Sequence, residues 1–194
     1  MYHDVAGSLR NDIPRAEMVW GINLRMPELL AAVALVQLRK LDGILEAMRE
    51  RKRLLKAGLA DVARRKGITF REITDPEGDT SIALIWFMPE RASAERVAEA
   101  LQAENIPAGV MYRPDRVDYH IYCHWLPIMA QASWTPVGAP WCWARRDIRY
   151  RQDECPRTLD LLGRALHMDV SPLLSNDDIE ETLEGTNRVL EALA

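Results

Sequence analysis

The run Leu29-Leu30-Ala31-Ala32-Val33-Ala34-Leu35-Val36-Gln37-Leu38 carries one polar side chain, Gln37, before Arg39. A helix that is apolar on nearly every side belongs inside a protein rather than on its surface, so this stretch predicts a buried helix. Pro27 suits the first turn, where the N–H it lacks is not needed. Gly21 and Asn23, just upstream, tolerate unusual backbone angles and mark a turn. A polar turn bearing Asn23 and Arg25 is therefore expected at the end of a core element, well placed to present two polar side chains to a ligand.

The remaining chain is bounded by its composition. With 194 residues, it can form one domain with its own core, or a small domain plus an arm. Hydrophobic residues make up 48% and charged residues 28%, as in ordinary soluble globular proteins. A net charge of −4 opposes general nucleic-acid binding, which needs a basic surface to meet phosphates. The apolar run falls short of the roughly 18 residues a membrane span requires. Residues 1–12 include His3, Asp4 and Asp12 and no apolar block, unlike a secretory signal. Cys123, Cys142 and Cys155 are odd in number and irregularly spaced, so they form no disulfide framework. A cytoplasmic location is the default expectation.

Met1 to Val19 shows no clear period and reads as a loop or arm. The apolar helix is expected from about Pro27 to Leu38, with Gly43 bending the join to the next helix. That second helix is long and amphipathic. Ile44, Leu45, Met48, Leu54, Leu55 and Leu59 fall on one face, while the basic run from Arg49 to Lys56 reads as a solvated face. A cationic last turn and Gly67 end it. Strands are expected over Ile68–Ile73, Thr80–Met88, Ala108–Tyr112 and Leu166–Val170. A turn is expected at 75–79, and a helix after Ser93 with Val97, Leu101 and Ile106 inward. Cys155-Pro156 starts a short helix to about Arg164. Ser175 and Asp178 form a capping pattern for the last helix, which buries Ile179, Leu183, Val189, Leu190 and Leu193. These elements predict an α/β (α+β) chain with a small, mostly antiparallel sheet, helices on one face of it, and long helices in front. Residues 115–150 are the exception, being long, rich in Trp, His and Pro, and partly irregular. Loops of that length are usually functional or interfacial.

The string Gly21-Ile22-Asn23-Leu24-Arg25-Met26-Pro27-Glu28-Leu29-Leu30-Ala31-Ala32, continuing to Gln37-Leu38-Arg39-Lys40-Leu41-Asp42, resembles the turn and helix of the DegT/StrS-type sugar aminotransferases. These are pyridoxal-phosphate (PLP) enzymes of fold type I. Leu30 stands where the family usually has Gln. Cys155-Pro156, then Leu162, Arg164, Ala165 and Leu166, then Pro172 and the acidic final helix, resemble the family's C-terminal end. The resemblance implies only the C-terminal portion of a member. Residues 1–25 would leave a large domain that this sequence does not include. Residues 26–66 would form the buried and connecting helices, and 67–194 the small domain with its Trp-rich insertion at 115–150.

The resemblance also implies roles for particular residues. Asn23 would reach the PLP phosphate of a neighbouring subunit, and Arg25 would lie on the substrate side. Asp118-Tyr119-His120-Ile121-Tyr122 with Trp125 is similar to an aromatic-His segment over the sugar site, so His120 is a substrate-binding candidate. Here His120 comes later after Gly109-Val110-Met111-Tyr112 than in most members, which implies an inserted turn. The other reading of the tryptophans is a dimer contact or a local core. His120, Cys123 and His124 could together hold zinc, although their spacing fits no standard pattern and no metal site is expected. No catalytic residue is assigned. A Schiff-base lysine is needed, and Lys40, Lys52, Lys56 and Lys66 all follow the Asn23 turn, where the family's lysine does not lie. The function implied is amino transfer from glutamate or glutamine to a keto sugar or nucleotide-linked keto sugar. It would be carried out as a homodimer or with a partner chain bearing the large domain, and this chain alone would be inactive. The alternatives are a non-catalytic dimerisation or binding module and a small zinc-bound domain. No nucleic-acid or membrane partner is expected.

Overall fold

A computed structural model of the protein describes residues 26–133 and 135–193. The chain divides into two compact units, one ending at Gly43 and the other beginning at Ile44. In the first, helix α1 spans Glu28–Leu38. Pro27 has φ −60° and ψ 146°, so it is the extended residue that precedes the helix rather than part of its first turn. The sequence led us to expect a buried helix. Instead no residue of α1 is buried within this chain, and Leu29 is 77% exposed. The element is apolar on all sides as expected, yet its surface is bare, and bare apolar surface of this kind marks an interaction site. Gly43 does not make the join. The break falls at Arg39 and Lys40, and Gly43 lies inside helix α2, Leu41–Arg65.

Helix α2 buries Met48, Lys52, Leu55, Leu59, Val62 and Ala63, spaced three and four apart along one face. Its end follows from residue chemistry. Gly67 takes φ +66°, Ile68 N–H bonds the Ala63 carbonyl at 2.8 Å, and Gly67 N–H reaches the Arg64 carbonyl at 3.5 Å. This is the Schellman arrangement, which satisfies carbonyls left over at the helix end. Gly67→Ala forces a Cβ into the left-handed region and is expected to cost about 1 kcal/mol in a urea titration. The basic run forms the expected solvated face only in part, with Arg53 and Lys56 exposed. Lys52 is buried, with Nζ 2.6 Å from Asp79 Oδ2. Arg49 donates to the carbonyls of Asp79 and Glu77, and Arg51 donates to that of Leu174. Long basic side chains can lay their stems along apolar surface while their heads find oxygen. Here they strap the 75–81 loop and the approach to the last helix onto α2.

Strands β1 (Thr69–Phe70), β2 (Ala83–Phe87), β3 (Ala108–Val110) and β4 (Ala165–Asp169) form one antiparallel sheet in the order β1-β2-β4-β3. The first strand is shorter than Ile68–Ile73. The register puts Leu84, Met168 and Ala108 in one row and Trp86, Leu166 and Val110 in the next, on the same face. Helix α3 (Arg91–Ala103) is followed by the short α4 (Leu126–Met129), and it packs on β3 and against helices α5 (Pro156–Arg164) and α6 (Asn176–Leu193). Val97, Leu101 and Ile106 are buried as expected, as are Ile179, Val189 and Leu190, while Leu183 and Leu193 are partly covered. Ser175 Oγ accepts from Asp178 N–H at 3.1 Å, and Asp178 Oδ2 accepts from Ser175 N–H at 2.7 Å, completing the capping box at α6. Two glycines allow close packing. A Cβ at Gly58 would stand 2.6 Å from the Leu183 methyls, and one at Gly185 would stand 2.7 Å from Ile106 Cδ1.

Candidate functional site

Asn23 and Arg25 lie outside the described residues, as does Trp134. The remaining candidate, His120, stands on the segment between β3 and α5. A second small core of Tyr112, Ile121 and Cys123, backed by Tyr122, Leu159 and Leu162, holds this segment in place. Tyr122 Oη donates to the Gln152 carbonyl at 2.8 Å and accepts from Cys155 N–H at 2.9 Å, tying the segment to the start of α5. Burial, then the neighbouring Cys123, push the Tyr112 hydroxyl up, against the pull of Arg91, whose guanidinium lies 5.3 Å from the ring centre. Tyr112 therefore stays neutral and serves as packing.

From this core a chain of contacts runs outward. The His124 ring is buried and lies 5.8 Å from the Tyr112 ring. Its Nδ1 accepts from Asp118 N–H at 2.9 Å. The Asp118 carboxylate accepts from His120 N–H at 2.8 Å and lies 2.7 Å from His120 Nδ1. The His120 N–H, then its ring, hold the Asp118 carboxyl below the usual carboxylate range, with burial opposing weakly. The His120 side chain itself is 96% exposed. Thus the structure separates the three residues that the sequence grouped as a possible zinc cluster. Cys123 and His124 turn inward, and His120 turns outward. Among the described residues no group of three His, Cys, Asp or Glu side chains is disposed to hold a metal. Cys142 and Cys155 are exposed thiols.

The described aromatic residues of the segment fall into a buried and an exposed group. Tyr112 and Tyr122 belong to a local core. Trp143, Tyr119 and Trp125 are exposed, and Trp125 Nε1 donates to the Tyr119 carbonyl at 2.6 Å. Sequence reasoning missed the work of Asp118 and His124. The Asp-x-His spacing was a usable signal for the first, because an Asp side chain readily bonds the N–H two residues on. Nothing local signals that His124 would be buried.

The family model described as "DegT/DnrJ/EryC1/StrS aminotransferase family" matches residues 4–186. The chain belongs to this family. Among solved structures its fold is similar to that of 3-amino-5-hydroxybenzoic acid synthase, with a TM-score of 0.60, 18% identity, and coverage of 94% of this chain and 43% of that one. It is also similar to the apo form of the putative sugar aminotransferase Spr1654 from Streptococcus pneumoniae (0.60, 13% identity, 87% and 36%). A third likeness is to the aminotransferase TlmJ from Streptoalloteichus hindustanus (0.56, 16% identity, 86% and 37%). At such identities the likeness is one of fold. The chain spans about two-fifths of the length of these relatives.

PLP is the cofactor of this family in general, and it needs an amine to carry it, an acid at the pyridine nitrogen and a surface under the ring. The described residues do not fit that role. Lys52 is committed to Asp79, Lys56 stands 5.6 Å over the Phe70 ring, and Lys66 donates to the Glu191 carbonyl at 2.8 Å. Lys40 lies in the exposed two-residue turn between α1 and α2. What the described segment does offer is a rigidly founded imidazole facing outward.

Proposed function

We propose that this chain is the C-terminal part of a PLP-dependent aminotransferase that moves an amino group from glutamate or glutamine to a keto sugar or nucleotide-linked keto sugar. The Schiff-base lysine would come from the family's large domain on a partner chain, because a homodimer of this chain would bring only the same four lysines. Within that assembly Asn23 would hold the cofactor phosphate, and Arg25 and His120 would place the substrate. The family match over residues 4–186 carries this reading. The anchored His120 segment supports the substrate role, since an imidazole among exposed aromatic rings suits a hydroxylated ring ligand. A cytoplasmic location accords with it, and no helix among the described residues is long and apolar enough to cross a membrane.

A transamination assay of the isolated chain with PLP, glutamate or glutamine and a nucleotide-linked keto sugar tests the reading. No turnover is expected from the chain alone, and turnover is expected when polypeptide bearing the family's large domain is supplied. Turnover by the isolated chain would overturn the proposal. The bare apolar surface of α1 favours a second reading, a non-catalytic dimerisation module derived from the family. Binding to a full-length member, with no effect of the added chain on turnover, would select that reading instead.

A further inference from the structure

We infer that Asp118 is a positioning residue that holds His120 in one tautomer, making its outward nitrogen a hydrogen-bond acceptor that reads a hydroxyl of the ligand rather than a phosphate. The inference rests on the proposed placement of His120 beside the substrate. The lock itself follows from chemistry at the Asp118–His120 contact.

An ionised carboxylate only accepts hydrogen bonds, and a neutral imidazole has one donor nitrogen and one acceptor nitrogen. With His120 Nδ1 2.7 Å from Asp118 Oδ1, the donor must be Nδ1. The proton of the neutral ring is then fixed on Nδ1, and Nε2 keeps its lone pair. This is the tautomer that an unconstrained histidine populates less. Asp118 can impose it because Asp118 is fixed twice over. Its side chain also accepts the His120 N–H, and its own N–H is held by the buried His124, which leans on Tyr112. The carboxyl stays ionised because the His120 backbone and ring favour the charged form. Nε2 belongs to a side chain that is 96% exposed, so it is open to a ligand.

An acceptor at this point pairs with a donor. A sugar hydroxyl offers a hydrogen and is matched, whereas a phosphate or carboxylate oxygen offers only lone pairs and meets Nε2 with repulsion. The segment therefore discriminates within a nucleotide-linked sugar, favouring the hydroxylated ring over the diphosphate. This complements Asn23 and Arg25, whose N–H groups suit oxygen acceptors.

The test is nitrogen-15 NMR of the full 194-residue chain labelled at histidine, at a pH where the imidazoles are neutral. The sequence has four histidines, and the His120 signals are assigned with His120→Gln. The expected result is an Nδ1–H tautomer for His120 in the unaltered chain and a change to mainly Nε2–H in Asp118→Ala. Asp118→Ala keeps the backbone N–H that His124 accepts, so unchanged His124 signals report that the segment is still folded. An Nε2–H tautomer in the unaltered chain, or no change in Asp118→Ala with His124 unchanged, would overturn the inference. If His124 shifts as well, Asp118→Asn provides the second variant. Its amide keeps the hydrogen-bonding shape without the charge, and His120 must then show a smaller Nδ1–H fraction than in the unaltered chain. The two proposals can fail separately. If the tautomer is as stated but His120→Ala leaves KM for the keto substrate unchanged in the active assembly, the placement of His120 fails and the Asp118 lock stands.

Discussion

Trp86→Ala is expected to cost about 3–5 kcal/mol of folding stability, the range for removing a buried aromatic from a packed core. Trp86 sits on β2 opposite Leu166 of β4 and is 1% exposed. Its neighbours Leu84 and Met88 on the helix-covered side are equally enclosed, so the vacated space has no flexible wall to close it. The indole also carries a cost of its own, because among the described residues its buried Nε1 has no hydrogen-bond partner. Trp86→Phe removes that unpaired donor while keeping most of the ring, and the gain offsets part of the lost contact. Trp86→Phe should therefore cost about 1 kcal/mol or less. Urea denaturation of both variants checks the pair. Equal losses would show that packing of the six-membered ring, which Phe retains, is not what stabilises this position.

Asp79→Ala is expected to cost about 2–4 kcal/mol at neutral pH, the lower part of the range for breaking a buried ion pair because some solvent reaches it. The side chains of Lys52 and Asp79 are 10% and 16% exposed. Without the carboxylate, the Lys52 ammonium stays in the α2 core face with its charge uncompensated, Ser81 loses an acceptor and Arg71 loses a nearby counter-charge. Lys52→Met should cost less, because the Asp79 carboxylate it leaves behind keeps its hydrogen bond from Ser81 and the Arg71 charge 3.7 Å away. The effect depends on pH in a definite sense. Burial acts to raise the Asp79 carboxyl, and the hydrogen bonds from Lys52 and Ser81 with the Lys52 charge outweigh it, so the folded value lies below the unfolded one. Stability from this group is present above the ordinary aspartate value of about 4 and is lost as pH falls through the lower folded value. The gap between the unaltered chain and Asp79→Ala should accordingly narrow between about pH 5 and the acid limit. A gap independent of pH in that window would remove the ion pair as its cause.

Much of the fold was legible because it rests on local chemistry. The near-helical spacing of Met48, Leu55 and Leu59 marked α2, and Gly67 marked its end. Ser175 and Asp178 announced α6. The β-rich run from Thr80 to Met88 indicated the strand that became β2, Ala83–Phe87. The family turn and its C-terminal counterpart identified the class of protein. Less legible were features whose partners lie far along the chain. Lys52 looks like any helix-surface lysine until Asp79 is brought to it across the 75–81 loop. His124 looks equivalent to His120 until the Tyr112 core turns one inward and leaves the other outside.

By itself, then, the sequence determined which helices and strands form and in what order, which faces are apolar, and the family to which the chain belongs. These depend on side-chain period, capping groups and motif residues within a few positions of each other. Only the tertiary structure decided that β4 enters between β2 and β3, that part of the basic run is buried, and that the Asp118 carboxylate meets the His120 ring. Strand order and burial of charge are set by which distant surfaces meet, and an apolar pattern states that a face must be covered without naming what covers it.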